Sequence, residues 1–150
     1  MNRVLTAGPD ETAAIARNLA PELMRGDVLL LEGDLGAGKT TFARALCGAL
    51  GVVGPVTSPT FGVAHRYDSP AGRIAHLDLH RLGQLGAFDR DLVDDELDDA
   101  DVGLVEWPSG APGIEDRATW RIRLDHVSHD ERAVTVERLH GSAAIRGNGS

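Results

Sequence analysis

Apolar and polar positions alternate, cluster and change spacing along this chain in ways that predict a series of short strands and helices. Asp27-Val28-Leu29-Leu30-Leu31-Glu32 is a short apolar run with branched residues, the pattern of a buried strand. Thr40 to Leu50 is helical in spacing, with Gly51 placed to cap its end. Before them, Arg3-Val4-Leu5-Thr6 predicts a first strand, and Pro9-Asp10-Glu11-Thr12 opens a helix. That helix carries Ile15, Leu19, Leu23 and Met24 on one face, with a kink or break expected at Pro21, before Gly26. Val52 to Val56 adds a short extended piece. Phe61 to Tyr67 and Arg73 to Leu79 alternate across Asp68-Ser69-Pro70-Ala71-Gly72, which predicts a β-hairpin.

Arg81 to Leu97 predicts a helix or helix pair, with leucines at 82, 85, 92 and 97. Val102-Gly103-Leu104-Val105 is a second buried strand, and Ser109 to Asp116 reads as loop. Trp120 to Leu124 and Ala133 to Val136 alternate on either side of a turn. Residues 141–150 are small and polar, as in a disordered tail. The expectation is one domain over residues 1–140, a three-layer α/β fold. Its sheet should be mixed, parallel around the glycine loop after Glu32 and antiparallel toward the edges.

That loop is Gly33-Asp34-Leu35-Gly36-Ala37-Gly38-Lys39-Thr40, followed by Thr41, and it fits G-x-x-x-x-G-K-[ST] at every fixed position. Strand, glycine turn and helix in this order make a phosphate cradle. Glycines let successive amides converge on anionic oxygens at the positive end of a helix. Lys39 would reach the β- and γ-phosphates, and the Thr40 hydroxyl would join the shell of a Mg²⁺ ion. Lys39 is also the only lysine in the chain. A compact ammonium and a planar guanidinium are not interchangeable among phosphate oxygens.

Composition narrows the picture further. The 42% apolar and 25% charged content is that of a soluble globular protein. No apolar run approaches the roughly 18 residues that span a bilayer, and the first residues lack the apolar core of a signal peptide. Cys47 stands alone, so no disulfide framework is expected and a reducing cytoplasm is the natural location. A net charge of −8 argues against a large nucleic-acid footprint, which is normally basic.

Binding a nucleotide needs only the loop; hydrolysis or transfer needs an acid at the metal and a placed nucleophile. Asp78 and Glu106 stand at the ends of predicted strands, where ligands of α/β sheets sit. Either acid could hold Mg²⁺ or orient an attacking water. Thr57-Ser58-Pro59-Thr60 follows the loop at the distance of a switch segment that contacts the γ-phosphate, or is a plain turn. His76 and His80, and His126 and His129, are weak metal signals. The acidic run from Asp89 to Asp101 is a solvated helix face or a docking surface for a basic partner.

Taken together, the glycine loop through Phe42, Thr57 to Thr60, His76-Leu77-Asp78-Leu79-His80-Arg81-Leu82 and Leu104-Val105-Glu106-Trp107-Pro108 resemble the bacterial TsaE (YjeE) family in order and spacing. The resemblance runs from about Asp10 to Glu137. It implies a Mg²⁺-dependent ATPase of tRNA threonylcarbamoyladenosine (t6A) biosynthesis, slow alone and working with the TsaB–TsaD pair. The net charge of −8 adds the expectation that tRNA is reached only through a partner, and the isolated protein is expected to be a monomer. It also implies that Thr40 and Glu106 hold Mg²⁺, that Lys39 and Asp78 serve catalysis, and that Trp107 sits beside the site. Gly33 to Thr41, with Thr60, would contact the nucleotide. The family usually has tyrosine where His80 stands. A small-molecule kinase and a non-hydrolysing nucleotide-dependent adaptor remain alternatives. A guanine-reading Asn-Lys-x-Asp motif is excluded, because it would need a second lysine.

Overall fold

The strand β2 (Asp27–Glu32) lies at the centre of the sheet because it is apolar toward both faces: Leu29 and Leu31 point one way, Val28 and Leu30 the other. In the computed structural model, residues 2–34, 37–54, 64–79, 88–108 and 113–139 are described, without the side chains of residues 2, 3 and 88–90. In chain order the elements are β1 (Asn2–Thr6), α1 (Pro9–Leu19), β2, α2 (Lys39–Ala49), β3 (Ala64–Ser69), β4 (Gly72–Asp78), α3 (Phe88–Asp99), β5 (Val102–Glu106), β6 (Trp120–His126) and β7 (Arg132–Arg138).

The seven strands described form one sheet in the order β1-β7-β6-β2-β5-β4-β3. Pairing is parallel for β6-β2, β2-β5 and β5-β4, the strands around the glycine loop. It is antiparallel for β1-β7, β7-β6 and β4-β3 toward the two edges. The mixed sheet is therefore the expected one.

Helices α1 and α2 cover one face, where Phe42, Leu46 and Ala16 meet Leu29, Leu31, Leu104, Ile122 and Leu124. Helix α3 covers the other face over β2, β5 and β4, with Val93 and Leu97 against Leu30, Leu77 and Val105. Beyond α3, that face carries Glu32, Arg121, Arg123 and Glu137 around a cavity of about 510 Å³.

Three readings are corrected. The break expected at Pro21 is present, with α1 ending at Leu19 and a short 3₁₀ turn, Ala20–Glu22, taking up the proline, but Leu23 and Met24 are not on the helix face assigned to them. Proline lacks the amide that an α-helix would use, so Leu23 and Met24 fall outside the helix and Met24 is half exposed. The buried positions of α1 are Thr12, Ala16 and Leu19. On α3 the buried stripe is Val93, Glu96 and Leu97, whereas Leu92 is 41% exposed. The stretch read as loop before Asp116 ends in a 3₁₀ turn, Ile114–Asp116, whose Ile114 is fully buried.

The end of α2 was read well. Gly51, at a φ of 98°, donates to Gly48 O at 3.1 Å, and Val52 N donates to Cys47 O at 3.0 Å. That pair of bonds is a Schellman stop, and a left-handed glycine suits it. Cys47 is buried beneath it, and burial pushes its thiol up to about 12. It is protonated and inert at physiological pH.

Candidate functional site

The chemistry-bearing residues lie on the α1/α2 face because side chains alternate along a strand. Down β4, Ile74, His76 and Asp78 share that face; down β5, Val102, Leu104 and Glu106 do. In both strands the residue type turns from apolar to polar toward the carboxyl end. Parallel pairing puts Asp78 directly beside Glu106. Those carboxyl ends lie next to the loop that leaves the carboxyl end of β2, where α/β sheets bind ligands.

The loop bends where glycine is required. Gly33 has a φ of 147°, and a Cβ there would run into the carbonyl oxygen of Leu124. Gly38 has a φ of 106° and is the N-cap of α2, with no side chain to cap the first amides. An α-helix offers no internal acceptors to its first amides, and no acid stands in the first turn of α2. Their positive end faces the space beside Lys39 and Thr40.

Lys39 is 6% exposed. Its ammonium donates to Gly33 O at 2.5 Å and lies 3.6 Å from the centroid of the Trp107 ring. Burial pushes its pKa down from the ordinary lysine value, while the charges of Glu106, Asp78 and Asp34 pull it back up. Trp107 has a φ of 57°, the only positive φ outside glycine among the described residues. Strained backbone of this kind collects at ligand clamps and switches.

His76 is the residue the sequence reading undervalued. Beyond its place in the His76–Leu82 motif, the sequence offers it only as a weak metal partner of His80, which lies outside the described residues. The structure buries it completely, with Nε2 2.6 Å from Glu106 Oε2. The period of two along a strand was the available signal: residue 76 must share a face with residue 78.

Lys39, Asp78, Glu106, Gly33, Asp34, Gly38 and Thr40 are thus brought to one end of the sheet. Ala37 is buried behind the loop. Thr41 lies on another side of the loop, where Gly8, Thr12, Gly38, Asp130 and Arg132 help line a cavity of about 340 Å³. A second cavity, of about 300 Å³, is lined in part by Gly33, Asp34, Trp107 and Arg123. Leu35, Gly36 and Thr57 to Thr60 lie outside the described residues.

Among the described residues, no group of three or more His, Cys, Asp or Glu side chains could by itself hold a metal ion. The oxygen donors present, the Thr40 hydroxyl and the Glu106 carboxylate, suit a hard cation that also takes phosphate and water, as Mg²⁺ does.

The acidic stretch is partly spoken for. Glu96 takes a two-pronged interaction from Arg66, and Arg117 bonds Asp94 at 3.1 Å and Asp98 at 2.7 Å. Asp101 accepts from Arg73 N at 2.8 Å and pairs with Arg25 at 3.1 Å.

Comparison with known proteins gives a consistent result. The family model described as threonylcarbamoyl adenosine biosynthesis protein TsaE matches residues 6–134. The tRNA threonylcarbamoyladenosine biosynthesis protein TsaE of Bacillus subtilis is 37% identical over 131 residues, covering 87% of this chain and 81% of that protein. Its Streptomyces coelicolor counterpart is 41% identical over 134 residues, covering 83% and 88%. The crystal structure of Bacillus subtilis YdiB superposes with a TM-score of 0.73 at 30% identity, covering 99% of this chain and 92% of that one.

Proposed function

The chain belongs to the TsaE family of threonylcarbamoyl adenosine biosynthesis proteins, and from that premise we propose that it is a Mg²⁺-dependent ATPase serving tRNA t6A modification through the TsaB–TsaD pair. The observation that carries this reading is the setting of Lys39. The only lysine of the chain is buried at the mouth of a glycine cradle, between the Gly33 carbonyl, the Trp107 ring and two strand-end carboxylates. An ammonium held there is a charge in waiting for an anion.

With ATP in the cradle, the amides at the start of α2 and the Lys39 ammonium bind phosphate oxygens. The cavity beside Thr41 takes the nucleoside. Thr40 and Glu106 would hold Mg²⁺, which neutralises charge on the phosphates. Asp78, beside Glu106, orients the water that attacks the γ-phosphorus as the bond to the bridging oxygen breaks, leaving ADP and phosphate. The net charge of −8 makes direct tight binding to tRNA unfavourable, so a partner reaches the tRNA. Among the described residues no helix is long and apolar enough to cross a membrane, and we assign the protein to the cytoplasm.

The test is ATP turnover measured with and without the purified TsaB–TsaD pair. Slow turnover alone, faster turnover with the pair and tighter association in ATP with Mg²⁺ are expected, and Thr60→Ala should weaken that linkage while leaving the fold intact. Tight binding of tRNA by this protein alone at physiological salt, with indifference to the pair whatever the nucleotide, would overturn the assignment.

A further inference from the structure

A buried carboxylate must be hydrogen-bonded or its burial is costly. Glu106 is 3% exposed, and the contact that meets this need at its Oε2 is the His76 imidazole at 2.6 Å. The register makes the contact possible. His76 stands opposite Leu104, one same-face step behind Glu106, so the ring reaches forward along the diagonal. No net charge on the ring is needed. An imidazole that donates from Nε2 keeps Nδ1 as an acceptor, and Nδ1 faces the Tyr67 hydroxyl at 3.5 Å. That hydroxyl is in turn 3.4 Å from His65 Nδ1. A chain of donors therefore runs from β3 through His76 to Glu106.

We propose that His76 is a positioning residue: its Nε2–H fixes the rotamer of Glu106, and so fixes the carboxylate that serves the nucleotide and its metal. The inference rests on the role given to Glu106 in the proposed function. Side chains that hold a ligand in place from behind contribute on the order of 10- to 100-fold to metal affinity. The alternative is that the pair only fills and satisfies the core, in which case its loss moves stability and nothing else.

The experiment measures ATP binding by calorimetry as Mg²⁺ is titrated, and again in EDTA, well below the melting temperature of each variant. His76→Phe keeps a ring but removes the donor. It should raise the Mg²⁺ needed for half-maximal binding about tenfold and leave metal-free binding unchanged. His76→Gln, whose amide nitrogen reaches near the imidazole Nε2 position, should recover most of the loss. His76→Asn, too short to reach, should behave like the phenylalanine variant and stands in for it if that protein does not fold. In a Glu106→Gln background, His76→Phe should add nothing.

A folded His76→Phe or His76→Asn variant with wild-type Mg²⁺ dependence overturns the inference, as does an effect that simply adds to that of Glu106→Gln. If Glu106→Gln itself leaves Mg²⁺ dependence unchanged, the metal role of Glu106 fails first, and the inference falls with it.

Discussion

Glu96 and Glu106 are both buried carboxylates, 6% and 3% exposed, and their partners separate two regions of the molecule. Glu96, on α3, is gripped by both prongs of Arg66 from β3, so its charge is matched by a permanent cation. Glu106, at the end of β5, is held at one oxygen by an imidazole, with the Lys39 ammonium close enough to feel its charge. The first arrangement ties a helix to a strand. The second sets an acid near a buried lysine at the glycine loop. Part of the acid-dense stretch is held in ion pairs to arginines, whereas the proposed chemistry rests on acids that stand singly at strand ends.

The sharpest way to break this comparison is at Lys39. Lys39→Ala should abolish measurable hydrolysis, a loss in kcat/KM of at least about a hundredfold. Lys39→Arg should recover little of it, because the fork does not replace a point charge. Steady-state turnover with ATP and Mg²⁺ checks both, and near wild-type rates in the alanine variant would remove the loop from the mechanism.

The two strand-end acids should then divide by role. Glu106→Gln is expected to weaken Mg²⁺-dependent ATP binding, whereas Asp78→Asn should keep ATP bound and lower kcat. Equal loss of binding in both, measured by calorimetry beside turnover, would refute the division.

On the α3 side the effects should fall on stability alone. Leu97→Ala should cost about 2–4 kcal/mol by denaturant unfolding, since Leu97 is buried against β5. Leu92→Ala, on the exposed side of the same helix, should stay within about 0.5 kcal/mol. Turnover per folded molecule should be unchanged in both.

The smallest effect concerns pH. The hydrogen bond from Arg66 holds the Glu96 carboxyl below its ordinary value of 4.5. Its stabilisation is therefore full above pH 4.5 and fades as the pH falls through the lowered value. In a melting series against pH, Arg66→Ala should lose stability at neutral pH, where it leaves the Glu96 carboxylate without its partner, and show a shallower decline on acidification.

These predictions also mark what was legible in the sequence. The glycine loop, the strand before it and the helix after it were readable because each is a local pattern with its own physical cause. Gly51 was readable for the same reason, since one left-handed residue makes the stop. Asp78 and Glu106 were readable from position, as acids closing apolar runs. Met24 was misplaced because the helix ends before Pro21, and which stripe of α3 meets the sheet, Leu97 and not Leu92, is decided by tertiary packing rather than spacing. The Arg66–Glu96 pair could not be read at all, because nothing local in a β3 arginine announces which helix will lie across it.

The pairing of β1 with β7 has a consequence for how the chain reaches this state. Asn2 to Thr6 are made before the other strands described and find their register only against Arg132 to Val136, among the last of the described residues to be made. Contacts of such long sequence separation are entropically expensive to close and slow the search. On the ribosome β1 must therefore wait, with Val4 and Leu5 unpartnered, until nearly all of the sheet behind it has emerged. The β1 edge of the sheet should be the last part to fold, and in the finished protein it should be among the first to open to hydrogen exchange.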